Sequence, residues 1–184
     1  EIENGVEFEG FKEEFSNKDN IVYKSMMICF NKCNYIPRGL KIKLVEENIP
    51  MSRGLGSSST CIVAGLLGAN YIMGNILSLE DLFKIGVEIE GHPDNVAPAI
   101  LGDFVIATYL DGEIMYEKIS FPDVSLLAYI PDYWLATKKS REVLPANLDF
   151  KDAVRANAIG NALVATIVSG NKKDMGKLME ADLL

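Results

Sequence analysis

The stretch Pro50-Met51-Ser52-Arg53-Gly54-Leu55-Gly56-Ser57-Ser58-Ser59-Thr60 decides how the rest of the chain is read. Just before it, LKIKLVE (40–46) alternates apolar and polar residues, the pattern of a half-buried strand. Just after it, Cys61 to Met73 is apolar enough for a packed helix. The order is therefore strand, glycine loop, helix N-terminus. Two glycines let a backbone approach a ligand and take positive φ. The first N–H groups of the helix lack intrahelical partners and carry partial positive charge, which suits a polyphosphate. A serine hydroxyl at that place can also bind magnesium. No Gly-Lys-Ser/Thr follows, so the loop is not a Walker A motif, and the third glycine of a dinucleotide fingerprint is missing. Gly-x-Ser-x-Gly does not occur either, which excludes a nucleophile elbow. On spacing alone, a turn with serine caps accounts for the loop as well as a phosphate site does.

Working outward, residues 1–9 read as strand, and Asp19 or Asn20 caps a helix over 21–34. Val22, Met26, Cys29, Phe30 and Cys33 share one face of that helix, and Pro37 and Gly39 end it. Ser78 with Asp81 caps a helix over 79–90. GHPDNVAPAILGD follows as a loop with a short helix over 95–101. Strands over 103–110 and 113–120 flank Asp111-Gly112, a hairpin signal. A strand over 125–130 ends at Pro131, with helices expected over 138–144, 150–169 and 172–184. The mix predicts an α+β chain whose strands pair locally, with a domain boundary near Phe121-Pro122-Asp123.

The 184 residues suffice for one large or two small domains, and 48% hydrophobic residues exclude a disordered chain. Acidic residues outnumber basic ones 26 to 18, a formal charge of −8 with no basic cluster, so nucleic acid is not an expected partner. The same field repels a nucleotide, so a phosphate site must be built locally. The 3 cysteines, Cys29, Cys33 and Cys61, fit a reducing cytoplasm better than a disulfide scaffold. Cys29 and Cys33 share a helix face, as core residues or as a metal pair. No apolar run reaches membrane-spanning length, and no membrane partner is expected.

Two further segments carry chemistry. Glu88-Ile89-Glu90-Gly91-His92-Pro93-Asp94-Asn95-Val96-Ala97-Pro98-Ala99 gathers carboxylates, an amide and the single histidine on a stiff backbone. It reads as an amino-acid and cation site, or as an N-cap in which Asp94 or Asn95 starts a helix. Thr137-Lys138-Lys139-Ser140-Arg141 presents a planar guanidinium suited to a carboxylate, or a solvated basic loop.

Residues 50–59 closely resemble the P-x-x-x-G-L-G-S-S-[AS] motif of the GHMP small-molecule kinases. The resemblance implies a loop of Pro50, Arg53, Gly54, Leu55, Gly56, Ser57, Ser58 and Ser59 wrapped around ATP phosphates. Ser58 is then the magnesium serine, with Ser57 and Ser59 on phosphate. E-G-H-P-D-N-V-A-P-A is similar to the homoserine-kinase version of the second segment. Asn95 then matches a residue near the homoserine hydroxyl, Asp94 one near its amino group, and His92 a supporting contact. Glu88 matches the magnesium glutamate best, with Glu90 as runner-up; two positions apart on a helix, they cannot share a face. Residues 137–145 are similar to T-x-x-x-R-x-x-L-P, whose threonine and arginine line the homoserine site, here Thr137 and Arg141. Asn157 matches a family asparagine more weakly. Asn95, Glu88 and Thr137 are thus the implied catalytic residues.

The resemblance implies a two-domain GHMP kinase fold. Residues 1–121 would be part of an ATP-binding domain like ribosomal protein S5 domain 2, and 122–184 the start of a ferredoxin-like domain. It implies ATP-dependent phosphorylation of L-homoserine with Mg2+ in threonine biosynthesis, and admits a homodimer. The stretch holds no obvious buried general base, so catalysis by positioning and charge stabilisation is expected. A kinase for another small alcohol, mevalonate-type, and a catalytically incomplete binding fragment are the alternatives. The chain opens at Glu1 without methionine and stops at Leu184 in an apparent helix, so a longer molecule with both ends extended is expected.

Overall fold

The computed structural model describes residues 1–130 and 145–181, and the chain divides into two units, Glu1–Lys118 and Ile119–Leu184. In the first, β1 (Gly5–Glu9) and β2 (Gly39–Lys43) pair in parallel, Gly5 opposite Gly39 and Glu9 opposite Lys43. Parallel neighbours need a long crossover. It is supplied by a 3-10 turn, Glu13–Phe15, and α1, Ile21–Lys32. This pair is therefore not the local pairing expected from the sequence. Asn20 is the cap of α1, its side chain accepting from the N–H groups of Val22 and Tyr23, while Asp19 pairs with Lys24 at 2.8 Å. On one face of the sheet Lys41 reaches Glu9 at 2.9 Å and Lys43 also pairs with Glu9. Together Lys43 and Lys41 pull the Glu9 carboxyl down to about 2. On the other face Leu40 is buried.

The loop after β2 leads into α2 (Ser57–Ile72), and α3 (Leu79–Glu90) follows behind a capping box of Ser78 and Asp81. Next come α4 (Val96–Leu101) and the strands β3 (Phe104–Leu110) and β4 (Glu113–Ile119). β3 and β4 pair across Asp111 and Gly112, whose φ values of 52° and 86° are those of a tight hairpin turn. α2 is apolar over most of its surface because it lies between two cores. One joins it to α1, β2 and α3 through Phe30, Leu40, Ile62, Leu66 and Leu82. The other joins it to α3, α4 and the hairpin through Val63, Phe83, Val87, Val96 and Ala97.

Both cores need glycine. A Cβ on Gly65 would lie 2.5 Å from the Val22 carbonyl oxygen and 2.8 Å from the Ser25 Cβ. One on Gly86 would lie 2.8 Å from Val96 Cγ1. Cys29 is fully buried among these helices, and burial pushes its thiol up to about 11, so it is a core residue rather than half of a metal pair. No cluster of metal-ligating side chains occurs among the described residues.

In the second unit α5 (Phe150–Ser169) and α6 (Lys172–Glu180) form a helical hairpin. It turns at Gly170, φ 69°, and the Asn171 side chain accepts from the Asp174 N–H. The strand expected over 125–130 does not form. Leu126 and Leu127 are exposed, at 77% and 98%, and among the described residues no strand pairs with this segment. A strand without a ladder partner leaves its backbone to water. The helix expected over 138–144 lies outside the described residues, as do residues 182–184.

The α1–α2 contact makes a paired prediction. Gly65→Ala, which forces backbone apart, lowers stability by about 1–3 kcal/mol. Gly68→Ala, whose Cβ would meet only Met26 Cε at 3.8 Å, raises it by up to about 1 kcal/mol through helix propensity. Urea melts of the two variants check this; a neutral Gly65→Ala would show that the crossing yields without cost.

Candidate active site

The glycine loop is built from backbone that favours glycine. Ser52, Gly54 and Gly56 all have left-handed φ, 56°, 70° and 71°. Gly56 stands immediately before α2, and its carbonyl accepts from both the N–H (2.9 Å) and the hydroxyl (3.0 Å) of Thr60. The helix therefore starts with three successive serines, whose N–H groups point out of its positive end. Arg53 is folded back, its guanidinium reaching the Ser52 carbonyl at 3.3 Å.

One carboxylate binds this turn. Ser58 Oγ donates to Glu90 Oε2 at 3.1 Å, and Ser59 Oγ donates to Glu90 Oε1 at 3.0 Å. Ser59 is fully buried and Ser58 exposed, so the pair of hydroxyls runs from the core to the surface. Glu88, the expected partner of Ser58, instead pairs with Lys32 of α1 at 2.7 Å. The carboxylate beside Ser58 is that of Glu90, the runner-up. The cause is helix phase: two residues are about 200° apart around an α-helix. Positions 83, 86, 87 and 90 follow one face of α3, and the first three of them are buried. That periodicity was the signal available for Glu90.

Gly91, with φ 89°, ends α3 and turns the chain into His92-Pro93-Asp94-Asn95. Asp94 Oδ1 accepts from the Asn95 backbone N–H at 2.9 Å and the Asn95 side-chain amide at 3.3 Å. His92 Nδ1 is in hydrogen-bond contact with the same oxygen. Asn95 occupies the N-cap position of α4, yet its side chain makes no capping bond. It lies over the glycine loop instead: a Cβ on Gly56 would be 3.4 Å from Asn95 Oδ1. This contact, which joins two motifs far apart in sequence, had no sequence signal.

The fold thus brings together Gly56, Ser58, Ser59, Glu90 and Asn95, with His92 and Asp94 attached through Asn95. The remaining loop residues, Pro50, Leu55 and Ser57, lie on the same connection into α2. Thr137 and Arg141 lie outside the described residues. Asn157 is on α5 in the second unit, where its side-chain oxygen accepts from Asn161. Among the described residues no helix is long and apolar enough to cross a membrane.

Residues 20–103 match the N-terminal domain of the GHMP kinases. A homoserine kinase from Clostridium beijerinckii is 47% identical over 171 residues, covering 92% of this chain and 57% of that protein. A structure from Listeria monocytogenes assigned as a homoserine kinase superposes with a TM-score of 0.78 at 38% identity, covering 98% of this chain and 61% of that one. The homoserine kinase of Cytophaga hutchinsonii gives a TM-score of 0.78 at 26% identity, covering 96% of this chain and 58% of that one. The chain therefore spans little more than half the length of the relatives it matches.

The buried hydroxyl of Ser59 yields the second prediction. Glu90→Ala strips its acceptor and lowers stability by about 1–3 kcal/mol. Adding Ser59→Ala restores part of that loss, because an absent hydroxyl needs no partner. Denaturation midpoints of the two variants test it; an unaffected Glu90→Ala would show that Ser59 is not held by this carboxylate.

Proposed function

The chain belongs to the GHMP kinase family, and from that premise we propose that it is the nucleotide-side part of an ATP-dependent homoserine kinase. Residues 1–121 are then part of the ATP-binding domain and 122–184 part of the second domain. The observation that carries the reading is the Glu90 carboxylate held by two serine hydroxyls at the positive end of α2. An ATP phosphate chain seated on the loop meets the N–H groups of Ser57, Ser58 and Ser59, which neutralise it without a net-basic protein.

Ser58 and Glu90 offer a hydroxyl and a carboxylate oxygen, the hard donors that magnesium takes. When bound, that ion supplies charge neutralisation at the polyphosphate. The Ser59 bond to Oε1 fixes the carboxylate plane, so Glu90 is oriented before any ligand arrives. Asn95, lying against Gly56, is at the junction of the phosphate loop and the amino-acid segment. In this role its amide orients the homoserine hydroxyl toward the terminal phosphate. Asp94 faces the substrate ammonium, held by its bonds from Asn95 and its contact with His92. Thr137 and Arg141 are assigned by family likeness alone, Arg141 as the fork for the substrate carboxylate. Rate enhancement then comes from alignment and fixed charge rather than from a strong base.

The complete enzyme should release ADP in the presence of homoserine and magnesium. Glu90→Gln lowers kcat about a hundredfold or more, the scale of one charge-stabilising contact. Glu88→Gln, which touches only a surface ion pair with Lys32, stays within about twofold. The reverse pattern would return the metal role to Glu88. Arg141→Lys raises KM for homoserine well above any change in KM for ATP, because an ammonium cannot copy a bidentate fork. Equal changes in both constants would remove Arg141 from the amino-acid site, and preference for a mevalonate-type alcohol would overturn the substrate.

A further inference from the structure

The short helix that carries Asn95 is held at its far end by a residue outside both motifs. α4 has only six residues, and Val96 and Ala97 of its apolar face lie in a core with Val63, Phe83 and Val87, against which Val105, Ala107 and Ile114 of the hairpin also pack. Such contacts are non-directional and do not fix a helix along its own axis. The polar contact at its C-terminus does. Lys118 Nζ, from β4, donates to the carbonyl of Leu101 at 2.6 Å and pairs with Asp103 Oδ2 at 3.2 Å. Leu101 is the last residue of α4, where carbonyls lack intrahelical donors and the helix end is negative. Between the two contacts the chain makes a constrained turn. Gly102 has φ 71°, and Asp103 has φ 59° although it is not glycine. One ammonium thus ties both sides of that turn to a strand whose Ile114 packs against the core.

We propose that Lys118 is a positioning residue, fixing α4 along its axis so that Asn95 sits against Gly56. The inference rests on the kinase reading for its effect on rate, but not for the placement itself. At the other end of α4, the Asn95 amide lies beside the position a Gly56 side chain would take, 3.4 Å from where its Cβ would stand. A slide of α4 opens or crowds that contact and moves the Asp94–Asn95 pair relative to the phosphate loop. The nucleotide loop is not on α4, so nucleotide affinity is left alone.

The test uses Lys118→Met and Lys118→Arg in the complete enzyme, with Lys84→Met, which breaks a surface pair with Glu80, as control. Lys118→Met should lower kcat about tenfold, short of the roughly hundredfold cost of an ångström-scale misplacement. KM for ATP stays within about twofold, and Lys118→Arg, which can still donate to Leu101, keeps most of the rate. Independently of activity, the Asn95 side-chain amide and Gly56 backbone amide resonances shift in Lys118→Met and stay put in Lys84→Met. Full activity in Lys118→Met would overturn the proposal. So would Lys118→Arg impaired as deeply as Lys118→Met with a matching drop in melting temperature, or unmoved Asn95 and Gly56 resonances. A wild-type enzyme inert toward homoserine whose resonances still respond to Lys118→Met would sink the substrate reading and leave the positioning role supported.

Discussion

Two helix contacts with no room for a side chain set the geometry of this protein. At Gly65 the backbone of α2 lies against the Val22 carbonyl of α1, and at Gly86 α3 lies against Val96 at the head of α4. Close-packed interiors transmit displacement rather than absorb it. A Cβ on Gly86 would also lie 3.3 Å from Leu66 Cδ1 of α2, so the same glycine bears on how closely the serines of α2 and the last carboxylate of α3 approach. The polar contacts of the site are individually worth about 1–3 kcal/mol. They orient groups that the apolar core has already brought together.

On the proposed reading, a protein of formal charge −8 has to bind a polyanion. Screening confines surface charge to a range of about 8 Å at physiological salt, so the solution need only be local. Here the serine-bearing end of α2 supplies oriented N–H groups. The nearby Glu88 is neutralised by Lys32, which removes one negative charge from the surroundings. Glu90 faces two hydroxyls, neutral donors that orient a carboxylate without offsetting its charge as a lysine would. That arrangement leaves the carboxylate suited to a hard cation.

Much of this could be read before the fold was seen, and the failures have physical causes. α3, predicted over 79–90, spans Leu79–Glu90, because a capping box starts it and glycine ends it; both signals are local in sequence. The hairpin at Asp111-Gly112 is equally local. The parallel pairing of β1 with β2 is not, since it depends on where α1 returns the chain. The segment 125–130 has strand composition, but composition describes a residue's fit to a sheet, not the presence of a neighbour. In the candidate site, the motifs supplied the residues that the fold brings together at Gly56, Ser58, Ser59 and Asn95. Which glutamate faces the serines was a matter of helix phase, and the nearness of Asn95 to Gly56 a matter of tertiary packing.

That nearness explains why the glycine at position 56 answers two demands at once. Its φ of 71° belongs to the left-handed region, where a Cβ is strained, and the loop needs that turn to aim the first serines of α2. Its missing side chain also makes the space in which the Asn95 amide lies. An asparagine could satisfy the backbone alone, since it tolerates left-handed φ; Ser52 shows that this loop accepts a side chain there elsewhere. The asparagine's Cβ would stand 3.4 Å from Asn95 Oδ1, at the edge of ordinary van der Waals contact, so the atoms beyond Cβ would have to turn away from the amide. The glycine loop and the segment that carries Asn95 therefore meet at Gly56.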